Sequence, residues 1–175
     1  ASIETTPVIA ARDFDKIASL YDMGYRRISM GIQTINPKLL EAFGREGNNN
    51  IYKSACENIR AAGFKKFNVD LMYGFLNQDM DDFKATLEYA ISLKPEYITL
   101  YRNRYKGTKI AEEAEHVTLD KVNNQYKEAW RILNAAGYET PYGKNTFSRI
   151  KNDYGTSDYL TKRVIEGLPY IGMGL

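Results

Sequence analysis

The chain has 175 residues, 43% hydrophobic and 26% charged, a balance that suits one globular domain with its own core and excludes a disordered chain. A net charge of +2, with Lys and Arg interspersed among acids, offers no basic stripe and argues against a nucleic-acid partner. One cysteine, Cys56, and one histidine, His116, exclude an intrachain disulfide framework and a metal site of familiar Cys/His spacing; no apolar run is long enough for a bilayer, so a cytoplasmic protein with no membrane partner is expected.

In chain order, ASIET reads as a first strand with Ser2 and Glu4 on one face, and a helix is predicted over 13–23, stopped by Gly24. The stretch RRISMGIQTIN, residues 26–36, alternates as a strand does, with Ile28, Met30 and Ile32 on one side and Ser29, Gly31 and Gln33 on the other. Asn36-Pro37 then opens a short helix over 37–43, and GREGNNN reads as a loop carrying Arg45. A helix over 51–62 has the stripe Ile51, Ala55, Ile59 and Ala62, with Cys56 beside it as a small buried side chain. KFNVDLMYG sets Asn68 and Asp70 opposite Phe67, Val69 and Leu71. Met80, Phe83, Leu87 and Ala90 stripe a helix over 79–94 that Pro95 ends, and EYITLYRNR sets Thr99, Tyr101 and Asn103 opposite Ile98 and Leu100. The last helix, 119–136, has Thr118 as N-cap and Gly137 as its stop; His116 before it is expected to be exposed.

Gly24, Gly63 and Gly137 each close a helix and precede an aromatic residue, so an α-turn-β unit recurs about every 40 residues and a parallel β/α architecture is expected. In such a fold the oily strand faces meet the helices, and the polar faces line an interior able to hold a ligand. Ligand groups gather at the C-terminal ends of the strands, where Glu4, Gln33, Asp70 and the run from Tyr101 to Arg104 are placed; Arg45 could add a fork for a carboxylate. Each has a structural alternative: Glu4 as a helix-capping acid, Asp70 as partner of an interior Arg, Arg45 as a solvated charge. No phosphate-binding glycine loop and no Ser-His-Asp arrangement is present. The missing initiator Met and the oily close LPYIGMGL read as two cut ends, with 1–115 as barrel units and 116–175 as a following helix and C-terminal segment of the same domain.

Taken together, IETTP, RRISMGIQTINPKLLEAFGR, IRAAGFKKFNVDLMYG, LKPEYITLYRNRYKGT, AAGYETPYGKNTFSR and LPYIGMGL resemble the radical S-adenosylmethionine (SAM) enzymes related to oxygen-independent coproporphyrinogen III oxidase. The resemblance implies an α/β fold, a partial parallel TIM-like barrel of which this chain covers about strands three to six of six. It implies SAM as cofactor, contacted by Glu4, Gln33, Arg45 and Asp70, and a [4Fe-4S] cluster whose Cys-x3-Cys-x2-Cys ligands lie outside this chain. The family reaction is reductive cleavage of SAM to a 5'-deoxyadenosyl radical that abstracts hydrogen, leading to decarboxylation of propionates on a porphyrinogen in haem biosynthesis. A reductant for the cluster and a tetrapyrrole or other small-molecule substrate are then the partners, with Tyr101, Arg102 and Arg104 as substrate-binding candidates. Leu76 stands where the family commonly has proline, and Glu46 and Gly47 follow Arg45 where it often has histidine. A haem-modifying relative, a tetrapyrrole carrier without chemistry, and a sugar or phosphate enzyme are the alternatives.

Overall fold

Each predicted strand forms, and the four pair side by side in sequence order. The computed structural model describes residues 1–105, 111–141, 144–153, 155, 162–163, 166–169 and 171. Strands β1 (Ser2–Thr5), β2 (Arg27–Gln33), β3 (Lys66–Tyr73) and β4 (Tyr97–Arg102) run parallel, and β5 (Thr146–Ser148) adds antiparallel to β4 in the order β1-β2-β3-β4-β5. The sheet is the open wall of a partial β/α barrel. The KGT of YRNRYKGT, the YG of YGKN and most of LPYIGMGL lie outside the described residues.

Helices α2 (Phe14–Asp22), α3 (Pro37–Ala42), α4 (Asn49–Ala61), α5 (Met80–Ser92) and α6 (Leu119–Ala135) form where helices are predicted. Their starts are set by side chains that accept from otherwise unpaired first-turn amides: Asp13, Asn36, Asn48, Asp79 and Thr118. Gly24, Gly63 and Gly137 have φ of +99°, +101° and +82°, the left-handed backbone that lets each helix turn directly into the next strand segment.

Burial follows the alternation. Ile28, Met30 and Ile32 of β2, Phe67, Val69 and Leu71 of β3, and Ile98 and Leu100 of β4 are all buried in one cluster with Ala55 and Ile59 of α4, Phe83 and Leu87 of α5, and Val122 and Leu133 of α6. Cys56 belongs to the same cluster, and burial pushes its thiol pKa up to about 12. His116, at the end of a 3-10 turn over Ala111–His116, is exposed as expected.

Three features depart from expectation. A six-residue helix, α1 (Pro7–Arg12), is too short to show periodicity; its signal was Thr6 as N-cap with Pro7 at the first helical position. α4 begins at Asn49, inside the stretch read as loop, because Asn48 caps it. Asp70 is not at a strand end: it sits within β3, paired in register with Gly31 of β2 and Thr99 of β4.

Phe83 is fully buried whereas Trp130 remains 49% exposed. Phe83→Ala should therefore cost about 3–4 kcal/mol in urea unfolding, and Trp130→Ala about 1 kcal/mol or less.

Candidate functional site

The second face of the sheet carries Glu4, Ser29, Gly31, Asn68, Asp70, Thr99 and Tyr101, brought level by the pairs Glu4↔Ser29, Ser29↔Asn68, Gly31↔Asp70 and Asp70↔Thr99. The side chains form a hydrogen-bonded row. Asn68 Nδ2 donates to Asp70 Oδ1 at 2.7 Å and to Ser29 Oγ at 3.2 Å, and Thr99 Oγ1 donates to Asn68 Oδ1 at 2.9 Å. Thr99 Oγ1 also lies 3.1 Å from Thr146 Oγ1; since its one proton goes to Asn68, Thr146 is the donor there.

Asp70 is held at a pKa of about 6. Burial raises it most, the bond from Asn68 lowers it, the Glu4 carboxylate raises it and the Arg27 guanidinium lowers it. Tyr101 is raised as well, by burial first and then by Asp70 and Glu4, with Arg27 opposing. Glu4, Asp70 and Tyr101 thus share one electrostatic environment, although Glu4 itself is exposed.

Gln33 ends β2 with φ of +68°, uncommon for a residue with a Cβ, and Thr34 N bonds back to Ile32 O at 2.9 Å. This is a γ-turn of the rare positive-φ kind, next to a register shift between Gly31 and Gln33. The turn folds the Gln33 amide over Gly31: a Cβ at Gly31 would lie 2.6 Å from Gln33 Nε2 and 3.5 Å from Arg45 Nη1. Arg45 arrives from the loop after α3, where its amide bonds to Leu40 O at 2.9 Å and Gly44 turns with φ of +63°.

Gln33, Arg45, Tyr101, Arg102 and Arg104 all line one cavity of about 1250 Å³, whose wall includes Phe43 and Phe75, rings 4.7 Å apart. Typical small-molecule pockets fall within about 300–1000 Å³, so this one has space for more than one ligand. Asn103, in the same wall, is buried and its Nδ2 makes no hydrogen bond among the described residues, although the side chain also bears on the Tyr105 hydroxyl and lowers its pKa against the larger effect of burial. Arg45, Arg102 and Arg104 are exposed at the rim. Glu4 and Asp70 do not line this cavity; they lie on the adjoining sheet face, and Tyr101 joins the two groups.

Sequence reasoning missed Arg27 and the floor it helps to build. At the N-terminal ends of the strands, Arg27 stacks 4.9 Å from the Tyr97 ring and donates to Gly155 O; Tyr97 OH donates to Asp153 at 2.8 Å, and Lys66 pairs with Asp153 at 3.0 Å. Gly155, with φ of +70°, lies so close that a Cβ would be 2.8 Å from the Tyr97 ring. The only advance signal for Arg27 was its phase, two residues before Ser29.

The sequence pattern of the radical SAM superfamily matches residues 2–90. The chain belongs to the radical SAM superfamily. Curated relatives include the haem chaperone HemW of Haemophilus influenzae, 32% identical over 66% of this chain and 31% of that protein, and the oxygen-independent coproporphyrinogen III oxidase of Escherichia coli, 27% identical over 85% of this chain and 33% of that protein. The solved structure of coproporphyrinogen III oxidase from Escherichia coli superposes with a TM-score of 0.74 at 24% identity, covering 87% of this chain and 36% of that one, a likeness of fold. The chain spans about a third of the length of these relatives.

Membership of the superfamily implies SAM and a [4Fe-4S] cluster. The polar face suits the first: carboxylates at Glu4 and Asp70 to accept from hydroxyls or an ammonium group, and an amide and a guanidinium converging at Gly31. The second does not fit these residues, because the one cysteine is buried in the apolar cluster and no group of three or more candidate ligands exists among the described residues.

Asp70's raised pKa makes a stability prediction. Between pH about 4 and 6 the folded chain keeps a proton that the unfolded chain has lost, so this group's contribution falls as pH rises through that window and is a net cost above it. Asp70→Asn should stabilise the protein at pH 7.5 by about 2 kcal/mol in urea unfolding, with the gain vanishing below pH 4.

Proposed function

We propose that this chain is the SAM-holding part of a radical SAM oxidoreductase that acts on a carboxylated tetrapyrrole, as oxygen-independent coproporphyrinogen III oxidase does. The observation that carries this reading is the convergence of Gln33 and Arg45 on Gly31, level with Asp70, beside a cavity of about 1250 Å³. SAM would be held by Glu4, Gln33, Arg45 and Asp70; with a cluster ligated outside this chain and fed by a reductant, it supplies reductive bond cleavage and hydrogen-atom abstraction.

This chain's residues do the positioning. Asp70, ionised at neutral pH, accepts from donors on the cofactor, and Gly31 leaves room for a flat group against β2 under the Gln33 amide. Arg102 and Arg104 at the rim pair with carboxylates, and Phe43 and Phe75 give an apolar wall that keeps water from the reacting centre. A cytoplasmic location accords with the described helices, none of which is long and apolar enough to cross a membrane.

The similarity to haem chaperone HemW favours a second reading, a haem carrier that keeps the barrel without the chemistry. The intact protein, reconstituted anaerobically with iron and sulfide, separates them. Release of 5'-deoxyadenosine from SAM supports the enzyme; stable haem binding with no deoxyadenosine supports the carrier.

Two substitutions test the site itself. Gly31→Leu drives a side chain into the space of Gln33 and should abolish SAM binding in calorimetry while leaving the unfolding midpoint close to that of wild type; retained binding would remove Gly31 from the cofactor site. Arg102→Ala with Arg104→Ala should raise KM for a carboxylated substrate at least about tenfold with SAM affinity unchanged.

A further inference from the structure

Asn68 is 2% exposed and every polar atom of its side chain is engaged. Its orientation is fixed at the Asp70 end. Turned over, the carboxamide would set its oxygen against the Asp70 carboxylate, which can only accept, whereas the Thr99 hydroxyl, donor and acceptor both, meets either direction. The donors run one way, from Thr146 to Thr99 to Asn68 to Asp70, crossing three strands and ending on the carboxylate. Aligned donors of this kind polarise and strengthen one another in a medium of low dielectric. Asp70 Oδ1 is therefore committed to Asn68, while Oδ2 accepts no hydrogen bond among the described residues.

We propose that Asn68 is a positioning residue: locked by Thr99 and Ser29, its amide fixes the direction of the Asp70 carboxylate and keeps it ionised, with one oxygen left for the SAM ligand. The inference rests on the reading of Asp70 as a SAM contact. Asn68 itself, enclosed between β2 and β4, acts through Asp70. The charged and titratable groups that bear on Asp70 are Glu4 from β1, Arg27 from β2 and, in return, Tyr101 from β4. Of these, Arg27 also favours the ionised form, but without a hydrogen bond to Asp70; Asn68 is the neighbour that supplies one.

The test follows the Asp70 carboxyl carbon by NMR in the intact protein, assigned by its loss in Asp70→Asn, alongside SAM affinity from pH 6 to 8.5. In Asn68→Ala the Asp70 midpoint should rise by about one unit, and SAM should bind about fivefold more weakly at pH 6, converging to within about twofold of wild type at pH 8.5. Thr99→Val, which unpins the carboxamide but leaves it in place, should shift the midpoint the same way by a smaller step, and it carries the test if Asn68→Ala fails to fold. An Asp70 midpoint unmoved in the folded variants overturns the proposal, as does an affinity loss of equal size at every pH, the mark of a merely structural role. Wild-type protein that binds no SAM would sink the cofactor reading alone, and the carboxyl titration would still decide the role of Asn68.

Discussion

The site depends on one constraint: parallel strands paired in register, each with side chains alternating between two faces. The pairs Ser29↔Asn68 and Gly31↔Asp70 lie two residues apart on the same strands, so a single register brings the hydrogen-bonded row and the Asp70 carboxylate that ends it together. A slip of one residue in β2 would send Ile28 and Met30 into the polar face and Ser29 and Gly31 under the helices. The buried aliphatics of β2 and β3 thus do more than stabilise. Their burial selects the register that aligns the polar row.

The strained turn at Gln33 is the second organising element. A positive-φ residue with a side chain costs about 1–3 kcal/mol and persists only when its surroundings over-determine it. Here the following residue supplies the restraint: Thr34 is fully buried, its hydroxyl accepts from Asn36 N at 3.1 Å and lies 3.4 Å from Thr86 Oγ1, and its carbonyl accepts from Tyr52 OH. The core side of the strand end is clamped so that its polar side can present an amide in a conformation an ordinary strand would not adopt.

Much of this was legible in the sequence. Period-two alternation placed Glu4, Gln33, Asp70 and Tyr101 on a common face because that pattern is local, and Asn36-Pro37, Thr118 and Pro95 marked helix ends for the same reason. What escaped was non-local. The Thr146–Thr99–Asn68–Asp70 chain joins residues up to 47 positions apart, and Arg27 finds its carbonyl partner 128 positions away. The three residues of β5 are too few to alternate, and a glutamine in a turn that ordinarily takes glycine gives no sign of its dihedral. The motif resemblance to radical SAM enzymes supplied what pattern could not, the identity of the cofactor, and the superfamily match over residues 2–90 agrees with it.

Asp153 and Gly155, set against Tyr97 and Arg27, distinguish the two ends of the strands. They pack at the strands' N-terminal ends, whereas the cavity lies at the C-terminal ends, which are its doorway. Arg102 pairs with Tyr73, three residues beyond the level of Asp70, or about 10 Å nearer that doorway. Gly31 and Arg102 thus stand on two tiers of one open wall, and the strand register sets the distance between whatever lies against the one and whatever lies against the other.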